Sequence, residues 1–327
     1  MASQATNVQY IDERRGRGLM AEVDFAPGDS ILCVPCDIAV LYSPFVRNTC
    51  YRCFKRVAET REQQDVEQQQ QRHEMTEELQ YECAACRHLV LCHACVQAMV
   101  AELQRGAGED VAAAKPPATA HELLQQHPVL QAHKLACGWF CSLPAAVREG
   151  DTDYLRFTLQ YGARVLLGDT RLMLAVAELC TNEVQQSTEA RSFCESFAQD
   201  VVKTFAPHGF QIDAKHLRDV LLRTKCNSIG YPFNEEETLG WALQEYMCMI
   251  NHSCAPNASI VPSNRDASSW GSMELVARRP IKAEEEITIA YIDVDSYSDV
   301  RARRVRLLES YGFLCRCTKC SAASATQ

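Results

Sequence analysis

The sequence predicts an α+β protein of several small units, in which short β segments at both ends enclose a cysteine-rich stretch and a helical one. Three observations carry this prediction. Strand-like apolar runs occupy residues 8–46 and return after residue 226, helical periodicity fills 142–225, and paired cysteines crowd 47–141. At 327 residues and 36.7 kDa the chain exceeds one core of ordinary size, so two or three domains are expected.

In residues 8–46 the apolar segments alternate with turn sequences, RRGRG and APGD. Cys33 and Cys36 lie in the run SILCVPCDIAVL, whose β-branched residues predict strand core rather than a metal or redox pair. Two insertions, 54–82 and 96–132, interrupt the cysteine-rich stretch. From Glu59 to Glu82 the first holds eight acidic residues against two basic, without an apolar stripe, which predicts a solvated helix or disorder. The second contains GAGEDVAAAKPPATA at 106–120, a linker by composition. Leu166, Leu167, Leu172, Leu174, Val176 and Leu179, then Leu217, Val220 and Leu221, set the helical pattern that follows. Strands are predicted in ASIVP, SMELVARRPI and EEITIAYIDV, and a last short helix in DVRARRVRLLESYGF. Its arginines, Arg301, Arg303, Arg304 and Arg306, are expected on a solvated face.

Eleven of the 18 cysteines fall in C-x2-C or C-x-C patterns, Cys33 and Cys36 among them. Cys50/Cys53, Cys83/Cys86 and Cys92/Cys95 are C-x2-C pairs, followed by His133 and Cys137 as H-x3-C. Such spacings aim two donors at one ion about 2.3 Å from each sulfur, so eight ligands make two four-coordinate sites. Thiolate and imidazole donors select zinc over magnesium or calcium. Spacing leaves both sequential and interleaved pairing open, and His88 and His93 stand inside the cluster as spare donors. Cys315, Cys317 and Cys320 form a third, three-membered set that needs one more ligand.

The net charge of −9 argues against a nucleic-acid grip over the whole surface. No apolar run reaches the roughly 18 residues of a membrane helix. The opening MASQATNVQY lacks the basic and apolar regions of a secretory signal, so a reducing compartment, cytoplasmic or nuclear, is expected.

Asn251-His252-Ser253-Cys254-Ala255-Pro256-Asn257 is followed about 30 residues later by Glu285-Glu286-Ile287-Thr288-Ile289-Ala290-Tyr291. Then come Tyr311-Gly312-Phe313 and the C-x-C-x2-C set. In this order the motifs resemble the SET-domain lysine methyltransferases. GRGLMAEVDFAPGD resembles that fold's opening strand pair, and Cys226-Asn227-Ser228 its internal cofactor-side segment. The eight-ligand cluster resembles a MYND zinc finger inserted into the SET domain, so residues 10–320 are similar to the SET-and-MYND family. The insertions depart from the compact fingers of that family. The chain also ends seven residues after Cys320, without the C-terminal helical-repeat domain of many members, so a more open cleft is expected.

The resemblance implies a SET β-fold of several small sheets, split by the finger, with a helical insert and a zinc-bound tail. Its boundaries are 8–46 for the first SET part, 47–141 for the finger and 142–225 for the helical insert. The core SET part spans 226–312 and the tail 313–327. It further implies S-adenosylmethionine-dependent methyl transfer to lysine side chains of proteins. Tyr291 would be catalytic, and Tyr311 the second aromatic wall of the lysine channel. Arg15, Gly16, Arg17 and Gly18 would form the turn beside the cofactor, with Asn227, Ser228, Asn251, His252 and Tyr291 around it and Phe313 on its adenine. Three structural zinc ions are implied: Cys50, Cys53, Cys92 and Cys95 on one, Cys83, Cys86, His133 and Cys137 on another, and Cys254 with Cys315, Cys317 and Cys320 on the third. Expected partners are a lysine-bearing protein substrate and proline-containing peptides at the finger, with the protein itself a monomer. The competing expectation is an inactive scaffold that binds protein partners through its finger.

Overall fold

The computed structural model describes residues 5–58, 77–106, 119–231, 238–263 and 271–324. The chain opens with β1 (Thr6–Asp12), β2 (Gly16–Ala21), β3 (Ser30–Pro35) and β4 (Ile38–Leu41). The cysteine-rich part contributes β5 (Val57–Ala58), β6 (Glu77–Glu82), β7 (Val90–Cys92), α1 (His93–Gly106), α2 (Ala120–Gln126) and α3 (Pro128–Cys141). A helical run follows: α4 (Ala145–Arg148), α5 (Asp153–Leu166), α6 (Thr170–Glu178), α7 (Thr188–Phe205) and α8 (Ala214–Asn227). The last part holds β8 (Ile229–Gly230), β9 (Gly240–Leu243), β10 (Asn251–His252), β11 (Ala258–Pro262), β12 (Ser272–Ala277) and β13 (Glu286–Ile289). Two helices close it, α9 (Val300–Tyr311) and α10 (Thr318–Ser324).

Among the described residues the strands form four small sheets: β1-β2-β13-β10, β11-β12-β3, β4-β9-β8 and β5-β6-β7. Three of them interlace the two ends of the chain. Antiparallel pairing sets Leu19 of β2 opposite Ile287 of β13, and parallel pairing sets His252 of β10 opposite Ile289. One apolar cluster drives this closure, with Leu19, Ile31, Leu32, Leu275, Ile281 and Ile287 buried together. A second core holds the helices, where Phe157 and Tyr161 of α5 meet Phe205, Phe210, Leu217 and Leu221. A third sits inside the cysteine-rich part around Leu89, Leu91 and Met99. No described helix is long and apolar enough to cross a membrane.

Several expectations change here. Cys33 is exposed although its strand is apolar. β3 is an edge strand, and alternation buries Leu32 while turning Cys33 outward. Residues 77–82 form a strand rather than a helix, because β7 supplies a partner: Tyr81 pairs with Leu91 and Glu82 with Val90. The rest of that acidic insertion, 59–76, lies outside the described residues, as do 107–118 of the linker. The arginine run is not one solvated face. Arg301 and Arg306 are exposed, but Arg303 is only 1% exposed and donates to the Tyr297 and Ser298 carbonyls at 2.9 and 2.6 Å. Arg304 Nε donates to the Cys315 carbonyl at 3.1 Å, so two of the four arginines hold the tail.

Candidate active site

The β1–β2 connection is shaped by Asp12, whose Oδ1 accepts the backbone N–H groups of Arg14 and Arg15 at 3.0 and 2.7 Å. Gly16 closes the turn at φ +68°, a left-handed conformation that favours glycine. Arg15 pairs with Asp12 at 2.7 Å and with Glu286, and Arg17 pairs with Glu178 at 3.0 Å at the end of α6. A Cβ on Gly18 would lie 2.9 Å from each of Asn251 Nδ2, Glu286 Oε1 and Ile11 Cγ1. Glycine at this position of β2 leaves the Asn251 and Glu286 side chains room to meet there.

Asn251 lies beside that turn, donating from Nδ2 to the Arg17 carbonyl and to Glu286 Oε1, both at 2.9 Å. Asn257 stitches the two motifs together. Its Nδ2 donates to the Glu286 carbonyl at 2.8 Å, and its Oδ1 accepts from the Thr288 N–H at 2.7 Å. His252 Nδ1 accepts the Tyr291 N–H at 3.0 Å, so the remaining proton sits on Nε2, which faces Cys254 Sγ at 3.2 Å. Burial, with the Arg303 guanidinium nearby, brings the imidazole pKa down to about 4 and keeps it neutral.

The Tyr291 hydroxyl donates to the Ile250 carbonyl at 2.6 Å, and the Tyr311 hydroxyl to the Tyr291 carbonyl at 3.1 Å. Their rings lie 4.9 Å apart at 50°. Phe313 meets Tyr291 edge-on at 6.3 Å and His252 at 5.9 Å. Burial pushes both phenols above their ordinary value, so each is a protonated donor at neutral pH. Tyr311 ends α9, and Gly312 caps that helix at φ +75°, with its N–H on the Leu308 carbonyl. That turn carries Phe313 back toward Tyr291.

These residues line one groove of about 1090 Å³, including Arg15, Gly16, Arg17, Asn227, Ser228, Asn251, His252, Tyr291, Tyr311 and Phe313. Asn227 ends α8, and its Nδ2 is taken by the Cys180 and Arg223 carbonyls at 2.9 and 2.7 Å. Gly18 stands one layer behind, against Asn251. Sequence reasoning missed Glu286, which orients both Arg15 and Asn251, and Glu178, which anchors Arg17. Glu286 lay inside the quoted motif, whereas nothing local marks Glu178. A separate cavity of about 720 Å³ lies between the cysteine-rich part and the helices, away from these groups.

Among the described residues the metal donors meet as three tetrads: Cys50, Cys53, Cys92 and Cys95; Cys83, Cys86, His133 and Cys137; and Cys254, Cys315, Cys317 and Cys320. In each, the donor atoms lie within 4.8 Å of one another. Cys53 and Cys92 sulfurs are 3.7 Å apart, as are those of Cys83 and Cys137, and Cys320 and Cys254 sulfurs are 3.5 Å apart. A tetrahedron with metal–sulfur bonds near 2.3 Å has edges of about 3.8 Å, so the geometry and the donor set suit three zinc ions. His88 packs on Phe140 and His93 faces Gln80, so neither joins a tetrad. The third site ties the Asn-His-Ser turn to the tail that carries Tyr311 and Phe313.

Residues 16–292 match the family model described as SET domain. Among curated proteins, the chain is 30% identical over 122 residues to SET domain and MYND-type zinc finger protein 6 of Schizosaccharomyces pombe, covering 37% of this chain and 24% of that one. It is 35% identical over 104 residues to the histone-lysine N-methyltransferase SMYD3 of Mus musculus, covering 32% and 22%. Against the N-lysine methyltransferase SMYD2-A of Xenopus laevis it is 24% identical over 311 residues, covering 94% and 59%. The matches thus span less than two thirds of the length of each of these relatives. Among solved structures, the SET domain of LSMT bound to lysine and AdoHcy aligns with a TM-score of 0.37 and 14% identity, over 96% of this chain and 54% of that one. With its two ends interlaced around the motifs above and three cysteine-based tetrads, the chain belongs to the SET domain family, as a SET-and-MYND protein.

Proposed function

We propose that this chain is an S-adenosylmethionine-dependent protein-lysine N-methyltransferase. The observation that carries the reading is the convergence of Arg15, Gly16 and Arg17, Asn251, His252 and the Tyr291–Tyr311–Phe313 aromatic group on one groove. S-adenosylmethionine, when bound, supplies an electrophilic methyl for in-line displacement by an amine.

The close approach at Gly18 seats Asn251 against the strand that carries Gly16 and Arg17, both of which line the groove. Asn251 commits Nδ2 to the protein, which leaves Oδ1 as an acceptor for an ammonium group. Phe313 and His252 offer aromatic faces for a heterocycle. Tyr291 donates its own proton to the Ile250 carbonyl, so its oxygen can accept an N–H from the substrate lysine and aim the nitrogen lone pair. Tyr311 walls the other side and excludes water. Neither phenol is a strong base, so the lysine proton leaves to solvent along the channel.

The substrate class is a lysine-bearing protein segment. The division into SET parts 8–46 and 226–312, finger 47–141, helical insert 142–225 and tail 313–327 belongs to the same reading. So do the proline-containing peptide partners of the finger, a monomeric state and a location in cytoplasm or nucleus. The test is methyl transfer from isotope-labelled S-adenosylmethionine to proteins of a cell extract, read by mass spectrometry, with wild type and Tyr291→Phe side by side. Label on discrete lysines from wild type alone is the expected result. Absence of both label and cofactor binding would overturn the reading in favour of a binding scaffold.

A further inference from the structure

Cys180 and Cys226 belong to none of the three tetrads, and both line the groove. Cys180 is exposed just beyond the last turn of α6, and Cys226 is the penultimate residue of α8. The two chain segments are pinned at these residues. Cys226 Sγ lies 3.3 Å from the Cys180 carbonyl, and the Asn227 side chain donates to that same carbonyl at 2.9 Å. On its other side, Cys180 Sγ lies 3.9 Å from Asn227 Oδ1. The thiols also act on one another: the Cys226 thiol, helped by Arg17 and Arg223, lowers the Cys180 pKa from its ordinary value. Cys180 is the more acidic of the two thiols, so it supplies the attacking sulfur.

We propose that Cys180 and Cys226 form a peroxide-oxidisable dithiol in the wall of the groove. The Cys180 thiolate attacks one oxygen of a hydroperoxide, the O–O bond breaks, and the leaving oxygen departs with a proton as water or alcohol. The Cys180 sulfenic acid is then attacked by the Cys226 sulfur, an S–S bond forms, and a water leaves. Two thiols and one peroxide thus give one disulfide, with the peroxide reduced. Asn227 follows Cys226 directly and Arg17 pairs with Glu178 just before Cys180, so the bridge acts on two sides of the groove at once. The dithiol itself does not rest on the methyltransferase reading, whereas its coupling to cofactor binding does.

The test uses the full zinc-loaded chain, brief exposure to hydrogen peroxide, alkylation of remaining thiols and mass spectrometry of the unreduced digest. The expected product is a Cys180–Cys226 linked peptide, two hydrogens lighter than its parts, lost on reduction and formed at least about tenfold faster than loss of the exposed Cys33 thiol. In Cys226→Ser, Cys180 should instead stop at a sulfenic acid that dimedone traps. Cys180 oxidised no faster than Cys33, or oxidised in wild type without linkage to Cys226, would overturn the dithiol. In a second arm, S-adenosylhomocysteine should slow the linkage and the linked protein should bind it at least about tenfold more weakly. A linkage that forms as described but is indifferent to that ligand would leave the dithiol standing and remove its coupling to the groove.

Discussion

The Tyr291 hydroxyl donates to the Ile250 carbonyl at 2.6 Å, one residue before Asn251 begins the short strand that faces the groove. The phenol is thereby held by the same segment that carries Asn251 and His252. Tyr291→Phe removes one oxygen and leaves ring packing against Tyr311 and Phe313 in place. The turnover number should fall about 100-fold or more, with the dissociation constant for S-adenosylhomocysteine within about threefold of wild type. Single-turnover kinetics and calorimetry separate the two effects, and full activity in the variant would remove Tyr291 from its assigned role.

Gly18→Ala places a methyl 2.9 Å from Asn251 Nδ2 and Glu286 Oε1, so Asn251 must shift or lose its bond to the Arg17 carbonyl. The expected outcome is at least about a tenfold loss of cofactor affinity, since one lost polar contact of about 1.4 kcal/mol is tenfold. Calorimetric titration of a variant shown folded by circular dichroism checks it. Unchanged affinity would mean that cofactor binding does not depend on how Gly18 seats Asn251.

Cys317→Ser breaks the tail tetrad while leaving both finger tetrads intact. Elemental analysis should give two zinc ions instead of three. Methyl transfer should fall with the zinc count, because Tyr311 and Phe313 pack in one cluster with these ligands. Three zinc ions in the variant would mean that the tail site does not hold metal through Cys317.

Arg303→Met tests the buried guanidinium behind the same tetrad. It strips the Tyr297 and Ser298 carbonyls of their donor and removes the charge 3.8 Å from Cys320 Sγ. A loss of about 3–5 kcal/mol in unfolding free energy is expected from denaturant titration. Arg301→Met, on the exposed side of the same helix, should stay within about 0.5 kcal/mol.

Asp169 caps α6 by accepting the Leu172 N–H at 3.0 Å and pairs with Arg164 at 2.6 Å. Burial alone would raise its pKa, but these two partners outweigh it and hold the carboxyl below the ordinary 3.8. The folded state therefore gains stability from this group above that value and loses it as pH falls through the lower folded pKa. Asp169→Ala should cost about 1 kcal/mol at pH 7, and the difference from wild type should shrink toward zero in strong acid. A difference that persisted at low pH would show that the cap, rather than the charge, is what counts.

The helical segment was legible because Leu172 and Val176, and again Leu217 and Leu221, stand at the four-residue spacing that buries one helix face, a property carried by each stretch alone. The strands ASIVP and SMELVA were legible for the same local reason. Cys33, Arg303 and residues 77–82 were misjudged because each depends on a distant partner. An edge position exposes Cys33, the tail desolvates Arg303, and β7 pairs with 77–82. Glu178 escaped notice altogether, since only the approach of α6 to the β1–β2 turn gives it Arg17.

The sequence by itself determined the chemistry available: eleven metal donors in recognisable spacings, the tyrosines Tyr291 and Tyr311, and a glycine-containing turn beside an aspartate that shapes it. These follow from local geometry, where two residues between donors or one polar side chain near a turn is enough. Tertiary structure alone decided which donors share an ion and which face of Asn251 meets the turn. It also decided that Cys180 and Cys226 stand together, although 46 residues separate them in the chain. Such pairings arise from burial of the separate cores, which brings distant segments into register, and no local pattern encodes the resulting contacts.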